Sequence, residues 1–199
     1  RFNHRTHRKL LIVDGAIAYT SGHGIADQWL GDGEDEDHWR DTGVRLEGPV
    51  SCALQSVFME NWIEETRCLP AGDGCYPCLE NKGTVQAHVV SSASEEVGSA
   101  VALLYTVAIA SARKEVIIQN PYFAPDDGMC ELLAKMVERG VAVHLMVPGK
   151  ETDSPFVRLA GSHLYQSLLE AGVRLYEFDP TLLHQKIVIV DNAWSHVGS

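Results

Sequence analysis

Two stretches of this chain combine residue types able to do chemistry at matched spacing. "HRKLLIVDG" contains His7, Lys9 and Asp14, and "HQKIVIVDN" contains His184, Lys186 and Asp191. In each, one residue separates His from Lys, and four, mostly aliphatic, separate Lys from Asp. In an extended chain residues i and i+2 share a face, so each stretch presents an imidazole beside an ammonium. Two such pairs facing each other would surround one phosphodiester. The lysines would counter charge on its non-bridging oxygens. One histidine would attack phosphorus and the other would protonate the departing alcohol. The attacking ring must be neutral and the acid must carry its proton. Neighbouring lysines disfavour an imidazolium, so carboxylate partners are needed to support the rings. The same parity turns Asp14 and Asp191 away from the His/Lys face, where they would fix turns and strand ends.

The stretches lie 177 residues apart and match beyond the Asp: Ser21-Gly22 follows Asp14 at the same offset as Gly198-Ser199 follows Asp191. Both read as a strand, a turn and a second strand, with one turn at Asp14-Gly15. Residues 42–48 alternate like another strand, and Pro49 opens a helix over 50–66 with Leu54, Val57, Phe58, Trp62 and Ile63 on one side. Turn-rich residues 69–83 read as a linker. Beyond it strands are predicted at 84–90, 115–120, 141–149, 173–178 and 186–191. Helices are predicted at about 96–113 (mostly buried), at 127–139 closed by Gly140, and at 155–171 closed by Gly172. Strands alternating with helices of this length give an α/β fold with parallel members and covered faces. The domains expected are 1–83, with the linker from about 69, and 84–199. A pseudo-twofold between two related halves would bring the His/Lys pairs into one shared cleft.

The formal net charge is −11, which opposes general binding to nucleic acid. One basic patch, "RFNHRTHRK", offsets it locally, whereas the acidic run 31–41 reads as a solvated loop without calcium-loop spacing. No run of eighteen apolar residues and no signal peptide are visible. Five cysteines, an odd and irregular set, suit a reducing compartment, and the lone CxxC at 75–78 reads as loop cysteines.

The paired His-x-Lys-x4-Asp signature resembles that of the phospholipase D superfamily. "SGHGIADQWLG", "HWRDTGVRLEGPV", "PYFAPD" and "LYQSLLEAGVRLYEFDPTLLHQKIVIVD" before "VGS" resemble its bacterial cardiolipin synthase-like branch. The resemblance covers essentially the whole chain. It implies two related α/β halves of mixed sheets flanked by helices, and metal-independent chemistry through a phosphohistidine. No cofactor is needed, and clustered lysines would repel a metal ion. It further implies a phosphatidyltransferase joining two phosphatidylglycerol molecules into cardiolipin and glycerol, with a phospholipase D-type hydrolase as the alternative and, behind it, a nuclease or a non-catalytic lipid-binding relative. The partners implied are an anionic phospholipid and a membrane surface, at the bacterial cytoplasmic membrane, with no obligate protein partner evident.

Six catalytic residues are expected: His7 as nucleophile, His184 as acid (the near-symmetry allows the reverse), Lys9, Lys186, Asp14 and Asp191. Asp41, in "WRDTG", is the candidate partner orienting His7. The partner of His184 is expected beyond Ser199, and the chain reads as an internal fragment. Ser199 could offer its hydroxyl to a phosphate oxygen, His23 lies in a glycine-rich turn, and Tyr122 follows a strand end. These three are the candidate substrate-binding residues.

Overall fold

The computed structural model describes residues 6–70, 72, 74–92 and 100–199. Arg1, His4 and Arg5 of the basic patch lie outside the described residues, as does the beginning of the helix expected from 96. The architecture is mixed α/β, built on two sheets.

The first sheet is antiparallel, in the order β1 (Leu10–Val13), β2 (Ile17–Ser21), β3 (Gly43–Glu47). The β1–β2 turn uses Asp14 at φ 52° and Gly15 at φ 64°, and the Ala16 N–H donates to the Val13 carbonyl at 3.0 Å. Two successive positive φ values match the twist of the flanking strands. Helix α1 (Val50–Thr66) packs on this sheet through Ser51, Leu54, Gln55 and Met59. Phe58, Trp62 and Ile63, expected on the packed side, are exposed. The Ser51 hydroxyl donates to the carbonyls of Ala16 (2.9 Å) and Leu46 (3.3 Å). That tie turns the Ser51/Gln55 side inward, and a three-stranded sheet is too narrow to cover the rest of the apolar stripe.

The second sheet runs β6-β5-β4-β7-β8. Its strands are β4 (Glu115–Gln119), β5 (Ala142–Pro148), β6 (Arg174–Phe178), β7 (Lys186–Val190) and β8 (Trp194–Gly198). β4, β5 and β6 are parallel, while β7 runs antiparallel to β4 and to β8. The connecting helices are α2 (Ala100–Ala110), α3 (Asp127–Glu138) and α4 (Pro155–Glu170). Asp126 caps α3 by accepting the Met129 N–H at 2.8 Å. Gly140 and Gly172, both at positive φ, close α3 and α4 where expected. One sheet face carries Val116, Ile118, Val143, Leu145, Val147, Val188 and Val190, packed with Ile109, Leu133, Met136 and Leu168 of the helices. This is the alternation that a half-covered sheet requires.

Two expectations are corrected. Residues 84–90 are not a strand. Their alternation suits one, but a strand needs a neighbour for its backbone groups, and His88, Val89 and Val90 instead line a groove against Leu103 and Val107 of α2. Helix α2 is also not mostly buried: only Ile109 is, and Leu103 is 66% exposed. A helix apolar on every side, packed on one, leaves the rest outward.

Candidate active site

His7 and Ser199, far apart in sequence, meet. The Ser199 hydroxyl lies 3.3 Å from His7 Nδ1 and 3.5 Å from the His7 carbonyl. His7 and Lys9 sit on the extended lead-in to β1, and His184 and Lys186 on the entry to β7. Each lysine curls back on its own histidine. Lys9 Nζ donates to the His7 carbonyl at 3.1 Å, and Lys186 Nζ to the His184 carbonyl at 2.6 Å. Lys9 Nζ also lies 3.1 Å from His7 Nε2.

The spacer residues, pointing the other way, act as anchors. Arg8 donates to the Val57 carbonyl (3.0 Å), Glu60 (3.0 Å) and Asn61 (2.8 Å), clamping the lead-in on α1. Gln185 reaches across the molecule instead. Its amide donates to the Thr42 hydroxyl at 2.6 Å and accepts from Arg40 Nε at 3.3 Å. Around it runs a seam between segments distant in sequence. The Arg40 N–H donates to the Leu182 carbonyl (2.9 Å), the His184 N–H to the Arg40 carbonyl (2.8 Å), and the Thr181 hydroxyl to the His38 carbonyl (2.8 Å).

The seam delivers Asp41 to His184, which corrects the expected pairing. Asp41 Oδ2 lies 2.7 Å from His184 Nδ1, and its Oδ1 accepts the Thr42 N–H at 2.7 Å. The partner of His184 is therefore in the first half of the chain, and Asp41 does not serve His7. The physical reason is the backbone bridge at Arg40–Leu183, which places residue 41 beside residue 184. The pair is nearly dry, with 9% of the His184 side chain and 1% of the Asp41 side chain exposed. Gly22 makes room for it, since a Cβ there would collide with the Asp41 carboxylate.

Aromatic rings enclose His184. Trp29 meets it edge-on with centroids 5.0 Å apart, Trp39 lies at 6.3 Å, and Tyr122 at 6.1 Å. His23 meets Trp29 edge-to-face with centroids 5.7 Å apart, and its N–H donates to Ser21 Oγ at 3.1 Å. The two tryptophans were not singled out from the sequence. Their only signal was position, within the glycine-rich turn and immediately before "RD".

Electrostatics differ between the two pairs. Burial, then Lys9, Lys186 and His184, holds His7 below the usual histidine value, favouring a neutral ring. Burial pushes Lys186 down to about 8, opposed by Asp41 and Asp153 and reinforced by Lys9. Lys9 is lowered by burial and supported by Asp41.

The carboxylates of the two signatures lie away from this centre. Asp191 accepts the N–H groups of Arg113 (2.8 Å), Lys114 (2.7 Å) and Glu115 (2.9 Å), which tie the end of β7 to the start of β4. Those N–H groups hold its carboxyl below the usual range. Asp14 is exposed in its turn, and no bond from its carboxylate is found among the described residues. Among the described residues no cluster of His, Cys, Asp and Glu suits a metal ion, and no helix is long and apolar enough to cross a membrane.

Comparison with known proteins finds relatives along the whole chain. Residues 105–199 match the family described as cardiolipin synthase, PLD-like domain. The whole chain is 35% identical over 201 residues to cardiolipin synthase 2 of Staphylococcus epidermidis, covering 41% of that protein. It is 36% identical over 197 residues to cardiolipin synthase A of Pseudomonas putida, covering 99% of this chain and 40% of that protein. The chain thus spans about 40% of the length of these curated relatives. The crystal structure of phosphatidylserine synthase from Haemophilus influenzae Rd KW20 shares the fold. Its TM-score is 0.55 at 18% identity, covering 94% of this chain and 52% of that one.

Proposed function

We propose that this chain, which belongs to the phospholipase D superfamily, is the catalytic part of a phosphatidyltransferase of the cardiolipin synthase type. The observation that carries the reading is the bond between Asp41 and His184, made while Ser199 contacts His7. Both contacts cross between the two halves, and Lys186 and His184 act electrostatically on His7, which supports one shared centre with unequal surroundings for the two histidines. The similarity to cardiolipin synthases along the full chain supports the choice of substrate. On this reading residues 1–83 and 84–199 are two domains sharing one cleft.

His7, exposed and held below its usual value, acts as nucleophile. A ring nitrogen attacks phosphorus of a phosphatidylglycerol while the bond from phosphorus to the glycerol oxygen breaks. His184, its ring oriented by Asp41, donates a proton to that oxygen, and glycerol leaves. The phosphatidyl-histidine remains. His184, now neutral, takes the proton from a hydroxyl of a second phosphatidylglycerol, whose oxygen attacks phosphorus, and His7 departs. Cardiolipin and glycerol are the products. Lys9, Lys186 and the Ser199 hydroxyl face the non-bridging oxygens, Asp191 ties its turn to β4, and Asp14 supplies a left-handed backbone position in the β1–β2 turn. His23 braces the wall through Trp29, and Tyr122 borders the substrate through its ring.

Incubating the protein with glycerol-labelled phosphatidylglycerol in membrane vesicles tests the reading. Labelled glycerol released with cardiolipin is expected. Release of glycerol with phosphatidic acid only would instead make the protein a hydrolase.

A further inference from the structure

The Lys186 ammonium rests in a frame built by two residues outside the His-x-Lys stretches. Tyr122 follows β4 and is pinned there by its N–H, which donates to Asn120 Oδ1 at 2.8 Å. The face of its ring lies 5.2 Å from Lys186 Nζ, and its edge meets His184. Its hydroxyl donates to Asp153 Oδ2 at 2.6 Å. Asp153 sits in the loop between β5 and α4. Lys186 therefore has the His184 carbonyl on one side, an aromatic face on another, and a carboxylate held at that ring's hydroxyl.

We infer that Tyr122 and Asp153 are a positioning pair that keeps the Lys186 ammonium charged and aimed into the phosphoryl site. An ammonium over an aromatic face is stabilised, more so where water is excluded. The bond to Asp153 fixes the ring in that orientation and sets a negative charge beyond it. The charged and titratable groups around Lys186 are Asp41 and Asp153, which favour its ammonium, Lys9, which opposes it, and His7, His184 and Tyr122. Burial works against the ammonium, so the favourable groups decide whether it holds its proton near neutral pH. Burial and then Asp153 push the Tyr122 hydroxyl up, so it stays the donor and is committed to Asp153 rather than to a lipid. Tyr122 thus serves through its ring, and Asp153 through Tyr122.

This inference rests on the transfer reading only for the use made of Lys186; the titration of Lys186 stands apart from it. Lysine-labelled protein is titrated by carbon NMR at the Lys186 side chain in the wild type, Asp153→Asn, Tyr122→Phe and Asp153→Glu. The wild-type midpoint is expected near 8. Asp153 is exposed and so partly screened. Asp153→Asn should lower the midpoint by roughly half a unit to one unit, Tyr122→Phe by less, and Asp153→Glu should restore it. The alkaline limb of kcat for phosphatidyl transfer should move by the same amount, with KM unchanged. Tyr122→Phe keeps the packed ring, so a folding defect in one variant leaves the other to decide. An unchanged midpoint in both Asp153→Asn and Tyr122→Phe overturns the inference. A shifted midpoint in a protein without phosphatidyl transfer supports the pair and counts against the transfer reading alone.

Discussion

The two copies of the His-x-Lys hairpin differ in what surrounds them. Leu11 and Val13 of β1 are 60% and 41% exposed, whereas Val188 and Val190, their equivalents in β7, are 3% and 4% exposed. Among the described residues β1 has one neighbour, β2. β7 has two, β4 and β8, and lies beneath α2. The same contrast reaches the chemistry. His7 is exposed, with a lysine and a serine hydroxyl at its ring. His184 is buried among aromatic rings with a carboxylate on Nδ1. One local motif thus yields two different imidazoles, because ring behaviour follows from what packs around a histidine rather than from its own stretch of chain. A neutral accessible ring suits attack on phosphorus. A dry ring fixed by a carboxylate suits proton delivery.

Changing the histidines separately tests this division most severely. His7→Asn should abolish transfer and trapping of a phosphatidyl-protein, with any leaving group. His184→Asn should cost on the order of 10²–10⁴ with phosphatidylglycerol, yet leave much of the rate with a nitrophenyl phosphodiester, whose leaving group needs no proton. Rapid-quench kinetics with both substrates checks this. The reverse pattern would exchange the two roles.

Asp41→Asn comes next. Since Asp41 bonds His184 and not His7, the loss should reproduce the leaving-group dependence of His184→Asn, at roughly 10²–10⁴ in kcat. Gly22→Ala should act in the same direction with a smaller effect, because its new Cβ pushes on the Asp41 carboxylate. If Asp41→Asn slowed the nitrophenyl substrate as severely as His7→Asn, the pairing would not be the working one.

Stability should divide the hairpins as burial does. Val188→Ala removes two buried methyl groups, a cost of roughly 2 kcal/mol. Leu11→Ala, on the exposed face of β1, should stay within about 0.5 kcal/mol. Asp191→Ala releases three backbone N–H groups and should lower Tm more than Asp14→Ala does. Thermal melts of the four variants compare them directly.

Much of this was legible along the chain, for local reasons. The turn at Asp14-Gly15, the start of α1 after Pro49, and the glycines closing α3 and α4 are set by backbone preferences of one or two residues. The strands of the second sheet announce themselves by alternation. The repeated His-x-Lys drew attention to the two hairpins, and parity placed Asp191 on the turn. What escaped was non-local. Asp41 was assigned to the nearer histidine, whereas the Arg40–Leu183 bridge carries it to the farther one. Residues 84–90 have the pattern of a strand but run against α2 without strand pairing. Trp29, Trp39 and Asp153 carry no motif of their own, and their meaning appears only once distant loops converge on His184 and Lys186.

The pH profile separates the hairpins most finely. On the proposed mechanism His7 must be neutral to attack, and partial burial with three neighbouring cationic or titratable groups holds it below the usual histidine value of 6.5. A lowered value means that the neutral form persists to lower pH, so the acid limb of kcat/KM should lie below 6.5. On the alkaline side Lys186 loses its charge near 8, and stabilisation of the phosphoryl oxygens should fall from there upward. Replacing Lys9 by Met removes the largest cationic influence on His7, so the acid limb should move up toward the ordinary histidine value. The same change takes away a cation that opposes the Lys186 ammonium, and the alkaline limb should move up as well. The reciprocal change, Lys186→Met, should raise the acid limb less and eliminate the limb near 8. Profiles of kcat/KM measured from pH 5 to 10 on the slow variants decide this. An alkaline limb unmoved in Lys9→Met, together with an acid limb unmoved in Lys186→Met, would mean that neither lysine tunes the opposite pair, and that each hairpin titrates by itself.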